Sequence, residues 1–162
     1  MIRPASRPWG ALLAGLLMVA MISKAYASAE RVKTVFKDGT LEMASGGHVR
    51  FAGIQLAPES FSLLKTLLAG KEVEVEFDSD LARLVSGPAK PGYIYVKARE
   101  MEWKPGPPAA RDNHVMVNQL LIDMGAARVE ENIPFRHKTR FLEAQNSAKT
   151  RGEGIWSYEP FD

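Results

Sequence analysis

HVRFAGIQLAPESFSLLKTLLAGKEVEVEFD, residues 48–78, reads as strand, helix, strand, and that order sets the fold class. In its last third Val73, Val75 and Phe77 alternate with Glu72, Glu74 and Glu76, the period of a strand with one face toward a core. His48 to Ile54 is a second β-rich run. Between the two, Pro58 to Ala69 is expected to be a helix, with proline in its first turn and Gly70 closing it. Phe61, Leu64 and Leu68 recur at helical spacing, and Leu63 and Leu67 widen the stripe, so the helix must lie on the sheet. The chain therefore reads as mainly β with helices, an α+β protein. The three glutamates admit a metal site or a solvated outer face, and their alternation with valine favours the outer face.

Working outward, Val32 to Phe36 is a strand ending near an Asp38-Gly39 turn signal, and Gly46-Gly47 marks another turn. Late in the chain, Asn118 to Met124 is a helix stopped by Gly125. Phe135 to Thr150 is a longer one, stopped by Gly152 and Gly154. The long helix carries Arg136, His137, Lys138, Arg140, Lys149 and Arg151, either a nucleic-acid patch or, the plainer reading, a solvated helix surface. Two stretches read as insertions: one near residues 85–91, and one near 98–113 with a proline-rich tip around Trp103. Loops of that length in a small domain tend to be functional or disordered. No repeat appears, and residues 28–162 read as one domain.

The first 27 residues have the layout of a signal peptide. Arg3 and Arg7 precede an apolar run from Trp9 to Ile22, and Ala25-Tyr26-Ala27 is an A-x-A cleavage pattern. The alternative is an uncleaved anchor, for which the apolar run is short. Cleavage after Ala27 is the reading favoured, so export is expected, to a periplasm or outside the cell, with no membrane attachment after cleavage. The 27 residues include three basic groups and no acid, so 21 basic and 19 acidic groups become 18 and 19, a formal charge of −1. Any grip on nucleic acid must come from a local patch rather than overall attraction. No cysteine is present, which excludes disulfides and thiolate metal sites.

Candidate chemistry centres on Arg50 and Glu59. A guanidinium and a carboxylate nine positions apart, the latter behind Pro58, suit a site that grips a phosphate and activates a water. His48, His114 and His137 are too scattered for a zinc motif. No serine or cysteine triad, phosphate-binding loop or dinucleotide fingerprint is found.

Taken in order, the Asp-Gly-Thr-Leu turn, VRFAGIQLAPES, the following helix, KEVEVEFD, Asp80-Leu-Ala-Arg83, GYIYV, VNQLLIDMGAARV and SAKTRGEGIWS resemble the staphylococcal nuclease-like (thermonuclease) domain over about residues 31–158. The resemblance implies an OB-fold five-stranded barrel with about three helices. It also implies hydrolysis of DNA and RNA phosphodiesters with Ca²⁺ held by aspartates, a glutamate activating the water and two arginines neutralising the phosphate. On this chain the phosphate arginines fall on Arg50 and Arg83, and the general base on Glu59.

The metal ligands depart from the family pattern. With Thr40 in register, Gly39 stands where a ligand aspartate is expected and Asp38, the one candidate metal ligand left, lies one residue early. The second ligand aspartate is replaced by Gln55-Leu56, with one extra residue before Ala57-Pro58-Glu59, and the segment before Arg83 is one residue short. Three readings follow. One is a binding protein for nucleic acid, another phosphorylated ligand or a protein partner, with Ca²⁺-dependent nuclease activity weak or lost. The alternative is an active endonuclease with a rearranged metal site, in which Asp38 swings in and Asp78 or Asp80 assists. In the third, Arg50 and Glu59 form a structural clasp and the working surface lies in the insertions, the 98–113 loop being a candidate surface for a protein partner.

Overall fold

A computed structural model describes residues 29–101, 110, 111 and 113–157. The expected signal peptide, Trp103 and most of the proline-rich tip lie outside the described residues. In chain order the elements are β1 (Glu30–Val35), β2 (Leu41–Met43), β3 (His48–Phe51), β4 (Ile54–Leu56), α1 (Ser60–Leu68), β5 (Glu72–Phe77), α2 (Ser79–Leu84) and β6 (Lys90–Lys97). After them come β7 (Ala110–Arg111), β8 (His114–Met116), α3 (Val117–Asp123), β9 (Ala127–Val129) and α4 (Lys138–Arg151).

β1, β2 and β3 form an antiparallel meander, β1 also pairs with β5, and β5 pairs with β6. β6 then returns to β3 in parallel register, Val49 opposite Lys90, Arg50 opposite Pro91 and Phe51 opposite Gly92. That pairing closes a five-stranded barrel and leaves neither β3 nor β6 with an open edge there. β8 and β7 extend the sheet from β6, while β4 pairs with β9 in a separate two-stranded ribbon. At Gly92 the strands approach closely: a Cβ there would sit 2.6 Å from a Val75 methyl.

The core fills from both sides of the sheet. Val32, Leu41, Val49, Val73, Ile94 and Val96 point inward from the strands, and Leu64 and Leu68 of α1 close one end. α3 is buried on every side, so its Asn118 must be satisfied internally. It accepts from Ile94 N–H and donates to the carbonyls of Ala52 and Gly92, tying the β3–β4 turn to β6.

Several boundaries differ from the sequence expectations. The run 48–54 is two strands, because the chain turns at Ala52-Gly53, where Gly53 has φ +72° and Phe135 fills the space a side chain would need. Among the described residues there are four α-helices, where the resemblance implied about three. The additional one, α2, begins at the cap Asp78, whose carboxylate accepts from Leu81 N–H. The expected insertion at 85–91 is a shorter loop, since Lys90 and Pro91 already belong to β6. Phe77 is not an inward residue of β5 but is 42 % exposed. The long helix starts at Lys138 rather than Phe135, because the Arg136 N–H is drawn to the Asp78 carboxylate before the helix begins.

Candidate phosphate-binding site

On β3 the alternation is strict: Val49 and Phe51 face the barrel interior, so His48 and Arg50 project outward. Barrel closure lays the loop Ser86–Ala89, which leads into β6, alongside them. A cavity of about 360 Å³ results, bounded by Arg50, His48, that loop, and Phe36, Asp38 and Thr40 of the β1–β2 turn.

Arg50 faces a carboxylate, but it is not Glu59. Arg50 Nη2 lies 3.7 Å from Glu130 Oε2, with the two side chains 32 % and 30 % exposed. Glu130 is placed there by the β4–β9 ribbon and by its own N–H, which donates to the Gly53 carbonyl. The pairing is electrostatic rather than hydrogen-bonded: neither Glu130 Oε2 nor Arg50 Nε has a hydrogen-bond partner. Burial raises the Glu130 pKa above the ordinary carboxylate range, only partly opposed by Arg50. The Arg50–Glu59 clasp is therefore corrected to an Arg50–Glu130 pair. Glu59 itself is exposed at the position preceding α1 and makes no side-chain cap there.

Arg83, on α2, is exposed and pairs with Asp80 at 3.3 Å. It does not line the Arg50 cavity, although the loop that does begins at Ser86, two residues after α2 ends at Leu84. Asp38 does line that cavity. Its Oδ1 accepts from Thr40 N–H at 2.9 Å, so the carboxylate closes its own turn.

The donors near this cavity do not fit a calcium cage. Gly39 has φ +83°, and the position of a Cβ on it lies 2.0 Å from Leu56 Cδ1, so a leucine methyl occupies the space an aspartate side chain would leave by. Gln55 is exposed on β4 opposite Arg128 and lines a different cleft. Of the two residues replacing the second ligand, Leu56 is thus the one packed on the turn. Asp78 is buried and committed to Leu81 N–H, Tyr93 O–H and Arg136 N–H. Among the described residues no group of three or more acidic or histidine side chains is arranged to hold a metal ion. Calcium wants six to eight oxygens, usually from several carboxylates.

The other sequence candidates have partners of their own. Glu74 pairs with His114, and Glu76 with Arg136 and the Tyr95 hydroxyl, so the glutamate face of β5 is cross-linked as well as solvated. The basic tract is dispersed: Arg136 goes to Glu76, Lys138 to the carbonyls of Glu131 and Ile133, and Arg151 to Glu153. His137 packs edge-on against Tyr93, and burial lowers its pKa. Arg128 and Lys149 lie over the Trp156 ring at 4.3 and 4.7 Å, a clamp between β9 and the end of α4.

Glu130 had no sequence signal, and the loop Ser86–Ala89 stood out only as part of the 85–91 insertion; nothing local tied either to Arg50, since each reaches it through long-range pairing. Phe36 had a weak one, a large aromatic at the end of a strand, beside a turn.

An OB-type barrel carrying an outward arginine over a polar cavity belongs to a class in which many unrelated ligands are bound. The profile of the family described as staphylococcal nuclease homologue matches residues 52–158, and the chain belongs to that family. The matched span contains Glu59 and Arg83 and begins just after Arg50. No curated protein matches the chain.

Proposed function

We propose that this chain is an exported barrel protein that binds nucleic acid by seating a phosphodiester on Arg50, with calcium-dependent nuclease activity weak or lost. The observation that carries this reading is the pair of neighbours in one turn-and-strand region: a guanidinium that lines a cavity and is held by Glu130 only at 3.7 Å, and a leucine methyl where a metal ligand would stand. A planar guanidinium meets phosphate oxygens in paired hydrogen bonds and needs no metal to do so. Arg83, exposed and held only by Asp80, is the second cation of the proposal. It can turn toward a bound strand at little cost, because its surface ion pair is weak. Export is supported by the charged, apolar and A-x-A segments of residues 1–27.

The test is binding and cleavage of single- and double-stranded DNA and RNA, with and without Ca²⁺. Salt-sensitive binding that falls about tenfold or more in Arg50→Ala, without cleavage, is the expected result. Calcium-dependent cleavage abolished by Glu59→Gln would overturn it. The alternative of a rearranged endonuclease rests on Asp38 lining the same cavity as Arg50. It requires cleavage that chelator suppresses and Asp38→Ala destroys.

A further inference from the structure

Beside Arg50 the surface is unusually aromatic. Phe36 and Phe77 are 40 % and 42 % exposed, and with Leu84 they are the large apolar side chains most open to solvent among the described residues. Phe36 stacks on His48, centroids 6.0 Å apart and planes 23° from parallel. Phe77 has the Lys90 ammonium 5.9 Å from its ring centre. A second cavity, of about 390 Å³, lies against Phe77 and Lys90, and it shares His48 and Pro88 with the Arg50 cavity. Two adjoining hollows thus each combine an exposed ring with a cation.

The acids at the rims are already engaged. Asp38 accepts from Thr40 N–H, and Glu30, at the second hollow, accepts from Ser45 N–H at 2.7 Å. Each of these carboxylates keeps its charge but is held to a turn by its N–H donor, and both cations reach the hollows. Glu130, 3.7 Å from Arg50, is the acid with which a phosphate competes there. Rings alone would suit any apolar partner. Rings alternating with cations suit a polyanion that carries flat faces, which is a nucleic acid strand with its bases unpaired.

We infer that a single-stranded nucleic acid lies across the outer edge of β3 and β6, one base on the Phe36–His48 stack and the next against Phe77, with the intervening phosphate near Arg50. The inference rests on Arg50 as the phosphate seat and adds what that seat selects: splayed bases rather than a duplex, whose bases stack on each other and cannot reach the rings. It assigns Phe36 and Phe77 as base-stacking residues and Lys90 as a second backbone cation. Sequence preference is expected to be slight, since every base offers a face to a ring.

The test uses fluorescence anisotropy with the full chain and three probes of one length: a single-stranded oligothymidylate, its abasic counterpart that keeps the phosphates and lacks the bases, and a duplex. The oligothymidylate is expected to bind about tenfold or more tighter than the abasic strand, and tighter than the duplex. Phe36→Ala and Phe77→Ala each reduce that preference about tenfold, and both rings are exposed, so their removal spares the core. Arg50→Ala weakens the base-bearing and abasic strands together. Equal binding of the two strands, with loss in Arg50→Ala, overturns the stacking sites and leaves the phosphate seat standing. Binding of neither strand overturns both, and a duplex bound as tightly as the oligothymidylate overturns the choice of ligand.

Discussion

Arg50 is loosely held. Its nearest anion, Glu130, is close enough to attract it and too far to hydrogen-bond it. A phosphate arriving at Arg50 meets that carboxylate as a like charge. Glu130→Gln is therefore expected to tighten oligonucleotide binding several-fold, read by titration at fixed salt. The same pair gives a pH dependence. Because the Glu130 pKa is raised, the carboxyl gains its proton above the ordinary carboxylate range as pH falls, and Arg50 is released. Anion affinity should rise as pH is lowered through that window, and Glu130→Gln should lose the part of the rise that belongs to Glu130, His48 of the same cavity contributing its own part in both proteins. The charged groups sharing the cleft on the other side of Glu130, namely Glu131, Arg128 and Lys149, set a background that the variant leaves in place. Little of this was visible in the sequence. Arg50 could be picked out by type and spacing, but its partner stands eighty positions away, and the nearer Glu59 was the natural guess.

Among the elements, the β1–β2 turn and β4 decide together whether a metal ligand fits. Gly39→Asp alone is expected to destabilise the protein by about 1–3 kcal/mol, through the left-handed backbone and the collision with Leu56. Adding Leu56→Ala removes the collision, so the double variant should regain part of the lost Tm despite the cavity it opens. A double variant no more stable than the single one would show that Leu56 is not what fills the position. The α2–β6–α4 corner makes a second prediction. Asp78 is buried and accepts from one backbone N–H of α2, the Tyr93 hydroxyl of β6 and the Arg136 N–H ahead of α4. Burial opposes its ionisation, but these hydrogen bonds and Arg136 lower its pKa overall. A depressed carboxylate contributes stability that is present above its unfolded pKa of about 3.9 and lost as pH falls through the folded value. His137 acts in the same direction at higher pH: its lowered pKa means the unfolded chain takes up a proton first, so stability declines as pH drops below about 6.5. Asp78→Asn is expected to cost on the order of 3 kcal/mol at neutral pH and to flatten the acid limb of the stability curve, measured by urea unfolding. α1 and β5 were legible because periodicity needs several turns or alternations to show. α2 has six residues, too few for a period, and only the Asp78-Ser79-Asp80 opening announces it.

For the whole molecule, order along the chain and order in space part company at several pairings, and one of these seams builds the site. The barrel and its family could be read from the succession of segments. The seam itself, β3 against β6, joins residues about forty positions apart in parallel, and no local pattern marks it. It is nonetheless what sets the loop Ser86–Ala89 beside Arg50 and brings the Phe77 hollow next to the Phe36 hollow. The inward expectation for Phe77 failed for the same reason: at the strand's end, opposite Gly92, the barrel rim no longer has an inside for it. Fragments ending at residue 85 lack β6 and should show no cooperative thermal transition, whereas chains reaching residue 157 should show one, by circular dichroism.

That seam also dictates a timetable. A chain made from its amino end exposes β1 to β5 with nothing to close them until Gly92 has appeared, and Asn118, which pins the turn after β3 to β6, comes later still. Contacts of such sequence separation form slowly, because the loop must be closed before the pairing rewards it. During synthesis the first half therefore stays pliable and threadable, and it sets into its final shape only when the second half arrives to lock it.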